Sequence, residues 1–302
     1  MRILVSGSTG LIGCSLIPHL ARQGHDVVRL VRTPTRHDAA EVYWNPSQGT
    51  IDASGLEGTD AIVHLAGENI GSGRWTARKK TRILRSRVEG TRLLVNSLTR
   101  LARPAKVLVS ASAVGYYGSR GDEVLDEDSP PGSGFIARLC QAWEAATSAA
   151  AKKGIRVVNL RMAPVLTPQG GTLPKMLTPF RLGLGGRLGS GRQYMSWISM
   201  DDLVAVFAHV LRTESLRGPV NAVSPCPVTN REFTEILARV LGRPAFLTVP
   251  APALRLLFGE MADELLFASQ RVEPSRLKAS GYRFKHPDLE SALRYLLNTS
   301  PE

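Results

Sequence analysis

The spacing of apolar residues over the first thirty-two positions describes a strand, a helix and a second strand. Ile3-Leu-Val5 is an apolar run of strand length, Leu11, Ile12, Leu16 and Leu20 recur at helical spacing, and Val27 to Val31 is a second apolar run. Gly24 ends the helical segment before that run. Pro18 falls inside the helix, removes one amide donor and is expected to kink it.

The same alternation continues along the chain. Val42-Tyr-Trp44 reads as a short strand, Gly55 to Gly58 as a turn, and Asp60 to Gly67 as a buried parallel strand ending in small residues. His64 lies inside that strand, as a core residue with a satisfied ring. Arg74 to about Leu101 is helical, with Leu84, Val88, Thr91, Val95 and Leu98 on one face. Lys106 to Ser112 is a strand, Ala113 to Gly118 the loop at its end, and Gly121 to Asp128 an acidic surface loop. A helix from Phe135 to Lys153 precedes the strand Ile155–Leu160, with Arg161 to Val165 at its exit. Ser196 to Val210 gives strand and helix, Val220 to Val223 a last core strand, and Thr229 to Glu232 a capping box for a helix ending at Gly242. This order predicts an α/β protein: a Rossmann doubly wound parallel sheet with a smaller, mostly helical C-terminal substrate lobe. The nucleotide-binding domain is assigned to 1–168 and 195–227, and the lobe to 169–194 and 228–302.

The first turn carries the chemistry. Gly7, Gly10 and Gly13 stand between the first strand and its helix, and such glycines permit a tight turn, admit a pyrophosphate to the positive helix end, and let helix pack on strand. Their spacing is Gly-x-x-Gly-x-x-Gly rather than Gly-x-Gly-x-x-Gly. Ser8, Thr9, Leu11 and Ile12 complete the expected contact loop. The second strand ends at Val31-Arg32 with Arg36 close behind, and no acid precedes Asp38. Arginine there suits the 2′-phosphate of NADP(H), where an acid would suit NAD; the alternative is a solvated loop arginine.

Composition narrows the class. The chain has 302 residues, of which 43% are hydrophobic, enough for one Rossmann domain and a lobe. No apolar run is long enough to span a membrane and no cleavable signal is evident, so neither a membrane partner nor a secreted location is expected. Cys14, Cys140 and Cys226 are scattered, which fits reduced thiols in the cytoplasm and offers no metal spacing. The net charge of +12 admits a nucleic acid, an anionic substrate or a basic surface. Only Trp75 interrupts the basic run from Arg74 to Arg87, so a nucleic-acid partner is not expected. Arg87 lies at the edge of the apolar stripe and can point inward.

Taken together the residues resemble the short-chain dehydrogenase/reductase superfamily, extended type. The resemblance rests on Gly7 to Gly13, Asp60 to Ala66, Val88-Glu-Gly-Thr91, Ser110-Ala-Ser112 with Tyr117-Gly118, Arg161 to Val165, and Ser196 to Leu203. Within it the chain is similar to the atypical "epimerase family protein" branch through Ala66 to Ile70, Ser86-Arg87, Gly115-Tyr-Tyr117, Phe180 to Gly186, Gly189-Ser-Gly191 and a C-terminal segment around Gly281 to Leu293. The resemblance implies NADP(H) held by the glycine loop and by Val31, Arg32 and Arg36. It places Leu65, Ala66 and Gly67 against the adenosine half and Met162, Ala163 and Pro164 at the nicotinamide half, with Arg82 and Arg87 completing the cofactor contacts. A homodimer through the helices at 74–101 and 135–153 is a further implication.

The catalytic part departs from that pattern. Superfamily members use a Ser or Thr, a Tyr and a Lys four residues later, the Lys lowering the phenol pKa. Aligning Trp143-Glu144 with the usual glutamate puts Ile136 and Cys140 at the Tyr and Lys positions. Cys140 is a small buried residue or a thiol nucleophile, and Arg87 holds a cofactor phosphate or an acidic substrate. Ser112 matches the superfamily serine. Tyr116 and Tyr117 offer a substitute phenol, or wedge the loop. The resulting expectation is an epimerase-like NADP(H) oxidoreductase acting on an unidentified small molecule, for which the basic charge admits an anion. A non-catalytic NADP(H) sensor is the alternative.

Overall fold

The structure, a computed structural model, describes residues 1–33 and 40–298. Its centre is an eight-stranded sheet. The strands are β1 (Arg2–Ser6), β2 (Asp26–Val31), β3 (Glu41–Asn45), β4 (Thr50–Ile51), β5 (Ala61–His64), β6 (Val107–Ala113), β7 (Arg156–Met162) and β8 (Gly218–Ala222), and they lie in the order β8-β7-β6-β5-β1-β2-β3-β4. All neighbours are parallel except β3 and β4. The order reverses on either side of β1, which opens a crevice at the carboxyl ends of β1 and β5.

Side chains alternate between the two faces of each strand, and both faces are covered. Ile3, Val5, Val63 and Val109 pack with Leu16 and Leu20 of helix α1 (Leu11–Arg22) and with Leu203, Val206 and Phe207 of the helix Met200–Arg212. Leu4, Ile62 and Leu108 face the other way, onto Leu94, Val95 and Leu98 of helix α2 (Ala77–Leu98). Helix α1 runs through Pro18 without interruption. The proline and Cys14, whose carbonyl it leaves without a helical donor, are both exposed, so water can serve that carbonyl.

Two expected elements differ. The helix expected over Phe135–Lys153 is two pieces, α3 (Phe135–Ala145) and a short helix, Ser148–Lys152. Between them the Thr147 hydroxyl bonds the Glu144 carbonyl at 2.7 Å and the Asn159 side chain at 3.3 Å, a tertiary contact outside the helical ladder. The acidic segment Gly121–Asp128 is not wholly a surface loop. Val124–Leu125 pairs with Arg271–Val272, and the buried Glu127 carboxylate accepts from the amides of Asn221 (3.0 Å) and Arg276 (3.2 Å).

The capping box at Thr229 and Glu232 forms as expected, and Gly242 ends that helix in the left-handed conformation at φ +60°. A separate apolar cluster joins Leu173, Leu177 and Phe180 to Trp197, Phe233, Leu237 and Leu293. The C-terminal segment is fastened by one buried carboxylate. Asp202 accepts from the amides of Lys285 (2.7 Å) and His286 (3.0 Å), from the Tyr282 hydroxyl (3.2 Å) and from Ser199 Oγ (2.9 Å).

His64 is fully buried, its Nδ1 on Ser6 Oγ at 2.7 Å and its Nε2 on Thr91 Oγ1 at 3.1 Å. Burial lowers its pKa from 6.5 to about 4. Between those values the unfolded chain binds a proton at His64 that the folded chain does not, so the contribution of His64 to stability is constant above about pH 6.5 and is lost as pH falls toward 4, by about 3 kcal/mol. His64→Gln is expected to flatten this slope in urea unfolding at pH 7 and 4.5. An unchanged slope would show that His64 does not carry it.

Candidate active site

The glycine turn closes on backbone. Gly7 has φ +67°, and a Cβ there would lie 2.8 Å from the carbonyl carbon of Leu65 and 2.9 Å from the amide of Ala66. Gly13 packs against Ser8, whose Cα would be 2.8 Å from an added Cβ. Gly10 is the N-cap of α1; no side chain caps the helix and no acid lies in its first turn. The first amides of α1 are therefore open to an anion, and the helix dipole favours one. Ser8 is buried, Thr9 exposed, and Leu11 and Ile12 half-buried. Ser6 Oγ accepts from the amides of Leu65 (3.1 Å) and Ala66 (3.3 Å), which ties the ends of β1 and β5 together. With those donors on it, Ser6 donates to His64 Nδ1, and the His64 Nε2 proton goes to Thr91.

Val31 is buried, whereas Arg32 is exposed and has no acidic partner among the described residues. Arg36 lies outside the described residues. Gly67 lies over Arg87: an added Cβ would sit 3.1 Å from the guanidinium carbon. Arg87 donates to the Glu68 carbonyl at 2.9 Å, stacks on Trp143 at 5.0 Å, and has no carboxylate in ion-pair range among the described residues. Arg82 points outward, 3.6 Å from Glu68. Lys79 is buried and holds the same carboxylate at 2.7 Å, a hydrogen bond that lowers the Glu68 pKa.

Sheet register places Ser112 beside Arg161 and Arg161 beside Asn221. Arg161, expected at a strand exit, is instead a buried residue of β7. Glu144 of α3 grips it with both oxygens, at 2.9 Å each, and also accepts from Ser112 Oγ at 2.6 Å. Arg161 donates to the Tyr117 hydroxyl at 2.9 Å, and that hydroxyl donates to Asn221 Oδ1 at 2.7 Å. The Ser112 and Tyr117 protons are thus committed inside the protein, and burial pushes the Tyr117 phenol up to about 12. Tyr116 is half-buried with its ring 3.5 Å from the Arg161 guanidinium carbon, and its hydroxyl has no partner among the described residues.

Ile136 and Cys140 are buried with Trp75, Ile83, Leu139 and Met261. Burial pushes the Cys140 thiol up to about 12, so it is not a thiolate at neutral pH. The Glu264 carboxylate caps α3 through the amides of Phe135 (2.7 Å) and Ile136 (3.0 Å). Met162 ends β7, Ala163 is buried with its amide on the Ala222 carbonyl at 3.2 Å, and Pro164 is exposed. The fold thus gathers the glycine turn, residues 65–67, Arg87, Tyr116 and residues 162–164 at the carboxyl edge of the sheet. Arg82 is exposed and adjoins this group through Glu68, next to Gly67. Sequence reasoning did not find Glu68, Lys79 or Asn221, or the part played by Glu144. Only the one-to-one register of β6, β7 and β8 could have paired Arg161 with Ser112 and Asn221.

Residues 3–222 match the NAD dependent epimerase/dehydratase family, and residues 249–296 match a domain of unknown function. An epimerase family protein of Mycobacterium tuberculosis is 43% identical over 293 residues, 97% of this chain and 96% of that one. The solved structure of human epimerase family protein SDR39U1 with NADPH is 37% identical, covers 99% of this chain and 100% of its own, and superposes with a TM-score of 0.91. A nucleoside-diphosphate sugar epimerase from Corynebacterium glutamicum is 34% identical with a TM-score of 0.82, across 98% of this chain and 58% of that one. The match over residues 3–222, with relatives alike over nearly the whole chain, shows that the chain belongs to the NAD dependent epimerase/dehydratase family.

Proposed function

We propose that the chain binds NADP(H) in the crevice and is an epimerase-like oxidoreductase for a small molecule, working without a Tyr-x-x-x-Lys pair. The observation that carries the reading is the exposed Arg32, which follows the strand next to β1 and has no acidic partner among the described residues, together with the uncapped start of α1. The human relative solved with NADPH supports it. The donor set fits the cofactor: the open amides after Gly10 suit a pyrophosphate, Arg32 a 2′-phosphate, and Arg87, with no carboxylate in ion-pair range among the described residues, a further phosphate or hydroxyl oxygen. A bound nicotinamide supplies or accepts hydride. Tyr116 Oη, unlike Ser112 and Tyr117, is free to exchange a proton with a reacting oxygen, and Arg161 beneath its ring holds it in place. The apolar side chains Ile136 and Cys140 exclude water behind it. Three unpaired cysteines are in keeping with a reducing compartment such as the cytoplasm.

Titration with NADPH and NADH, followed by nicotinamide fluorescence, tests the reading. Arg32→Ala is expected to weaken NADPH about 10- to 100-fold, as loss of charge-assisted bonds predicts, and to leave NADH unchanged. Failure of the wild type to bind either nucleotide would end the proposal. The committed protons of Ser112 and Tyr117 favour a second reading, a non-catalytic NADP(H) sensor. Tight NADPH binding with no oxidation across a panel of carbonyl compounds would select the sensor.

A further inference from the structure

The five most exposed large apolar side chains among the described residues are Leu182, Leu184, Phe246, Leu256 and Leu257, at 69, 59, 80, 79 and 62%. Leu182, Leu184 and Phe246 lie on two segments that the fold brings side by side, and Leu256 and Leu257 lie on the helix that follows the second of them. Gly186–Leu188 pairs in parallel with Leu247–Val249, and Leu182, Leu184 and Phe246 precede these strands, so they flank the same end of one ribbon. There Gly183 meets Pro244, whose ring lies 3.8 Å from a Cβ added at the glycine. Pro250 then turns the chain into the helix Ala251–Phe258, which buries none of its residues. A helix this short draws little stability from its own propensity, and an apolar face of this kind on a soluble fold marks a contact surface.

Charge identifies the partner. No Asp or Glu occurs between Glu144 and Asp201, or between Glu235 and Glu260. The two segments carry Lys175, Arg181, Arg187, Arg192, Arg243 and Arg255. Arg181, Arg192 and Arg243 have no acidic partner among the described residues, while Arg255 pairs with Asp263 at 2.9 Å. A second copy of the chain would set like charges face to face. Protruding leucines and a phenylalanine spread over ribbon and helix would need matching pits in a rigid partner, whereas a fluid surface conforms to them.

We propose that this face docks on an anionic lipid surface. Phe246, Leu256 and their neighbours enter the boundary between headgroups and acyl chains, and the unpaired arginines meet lipid phosphates. Such docking is interfacial; among the described residues no helix is long and apolar enough to cross a membrane. It departs from the sequence-based expectation of no membrane partner, which rested on the lack of a spanning segment.

Co-sedimentation of the full chain with vesicles tests this. Vesicles of phosphatidylglycerol and phosphatidylcholine in equal parts are expected to retain the protein, phosphatidylcholine alone about tenfold less, and added salt should release it. Phe246→Glu with Leu256→Glu should lower retention about tenfold or more, with circular dichroism and melting unchanged because both sites are exposed. Tyr43→Glu, at an exposed position on strand β3 of the central sheet, should retain wild-type binding. The proposal fails if anionic vesicles do not retain the wild type, or if the paired variant binds as well. It also fails if light scattering shows a dimer that Phe246→Glu abolishes, since a second copy would then own the face.

Discussion

Glu144→Gln is expected to lower the unfolding free energy by about 3–5 kcal/mol, the usual cost of removing one partner from a buried ion pair. Both charges lie inside the protein, and the pairing is bidentate. Without the carboxylate, the Arg161 guanidinium remains buried between Ser112 and Asn221 with neutral acceptors only. The loss should appear as a lower urea midpoint at an unchanged slope. Replacing both partners, Glu144→Leu with Arg161→Met, removes the stranded charge and should recover a large part of it. A Glu144→Gln midpoint within about 1 kcal/mol of wild type would mean that water reaches the guanidinium and that the pair is worth no more than a surface bridge.

Gly7→Ala should act on both stability and binding. Its φ of +67° strains an L residue by about 1–3 kcal/mol, and the new methyl would meet the backbone of Leu65 and Ala66, which cannot rotate aside. The ends of β1 and β5 must then separate and the amides at the start of α1 must shift. Two displaced charge-assisted bonds predict a loss of NADPH affinity of about 100-fold or more. Gly24→Ala is the matched control: its φ is +78° but nothing lies within 4 Å of an added Cβ. It carries the strain alone, so NADPH affinity should be unchanged. Equal affinities for wild type and Gly7→Ala would place the nucleotide elsewhere.

The sheet was legible in the sequence because its information is local. Met1 to Arg32 carries its own periodicity, glycine turn and helix stop, and His64 sits in an unbroken apolar run that marks it as core. What escaped depends on residues far apart in the chain. Arg161 follows an apolar run and reads as the start of a loop, yet β6 and β8 extend the ladder past it and supply Ser112 and Asn221 as neighbours. Glu127 lies among acids and glycines and reads as solvated, but residues 221 and 276 bring their amides to it. The helix break at Thr147 follows from its bond to Asn159, which no propensity encodes. Serine and tyrosine spacing likewise places hydroxyls near a site without revealing which are already spent on a carboxylate.

The carboxylate of Asp202 bears on modularity. It belongs to the stretch matched by the epimerase/dehydratase family, but three of its four donors, Tyr282, Lys285 and His286, come from the stretch matched by the domain of unknown function. Cutting the chain between the two would open that carboxylate to water and leave Ser199 as the one remaining donor of the four. The clasp thus ties the two stretches into one structural unit, and either one grafted alone into another protein would have to replace the half that the other holds.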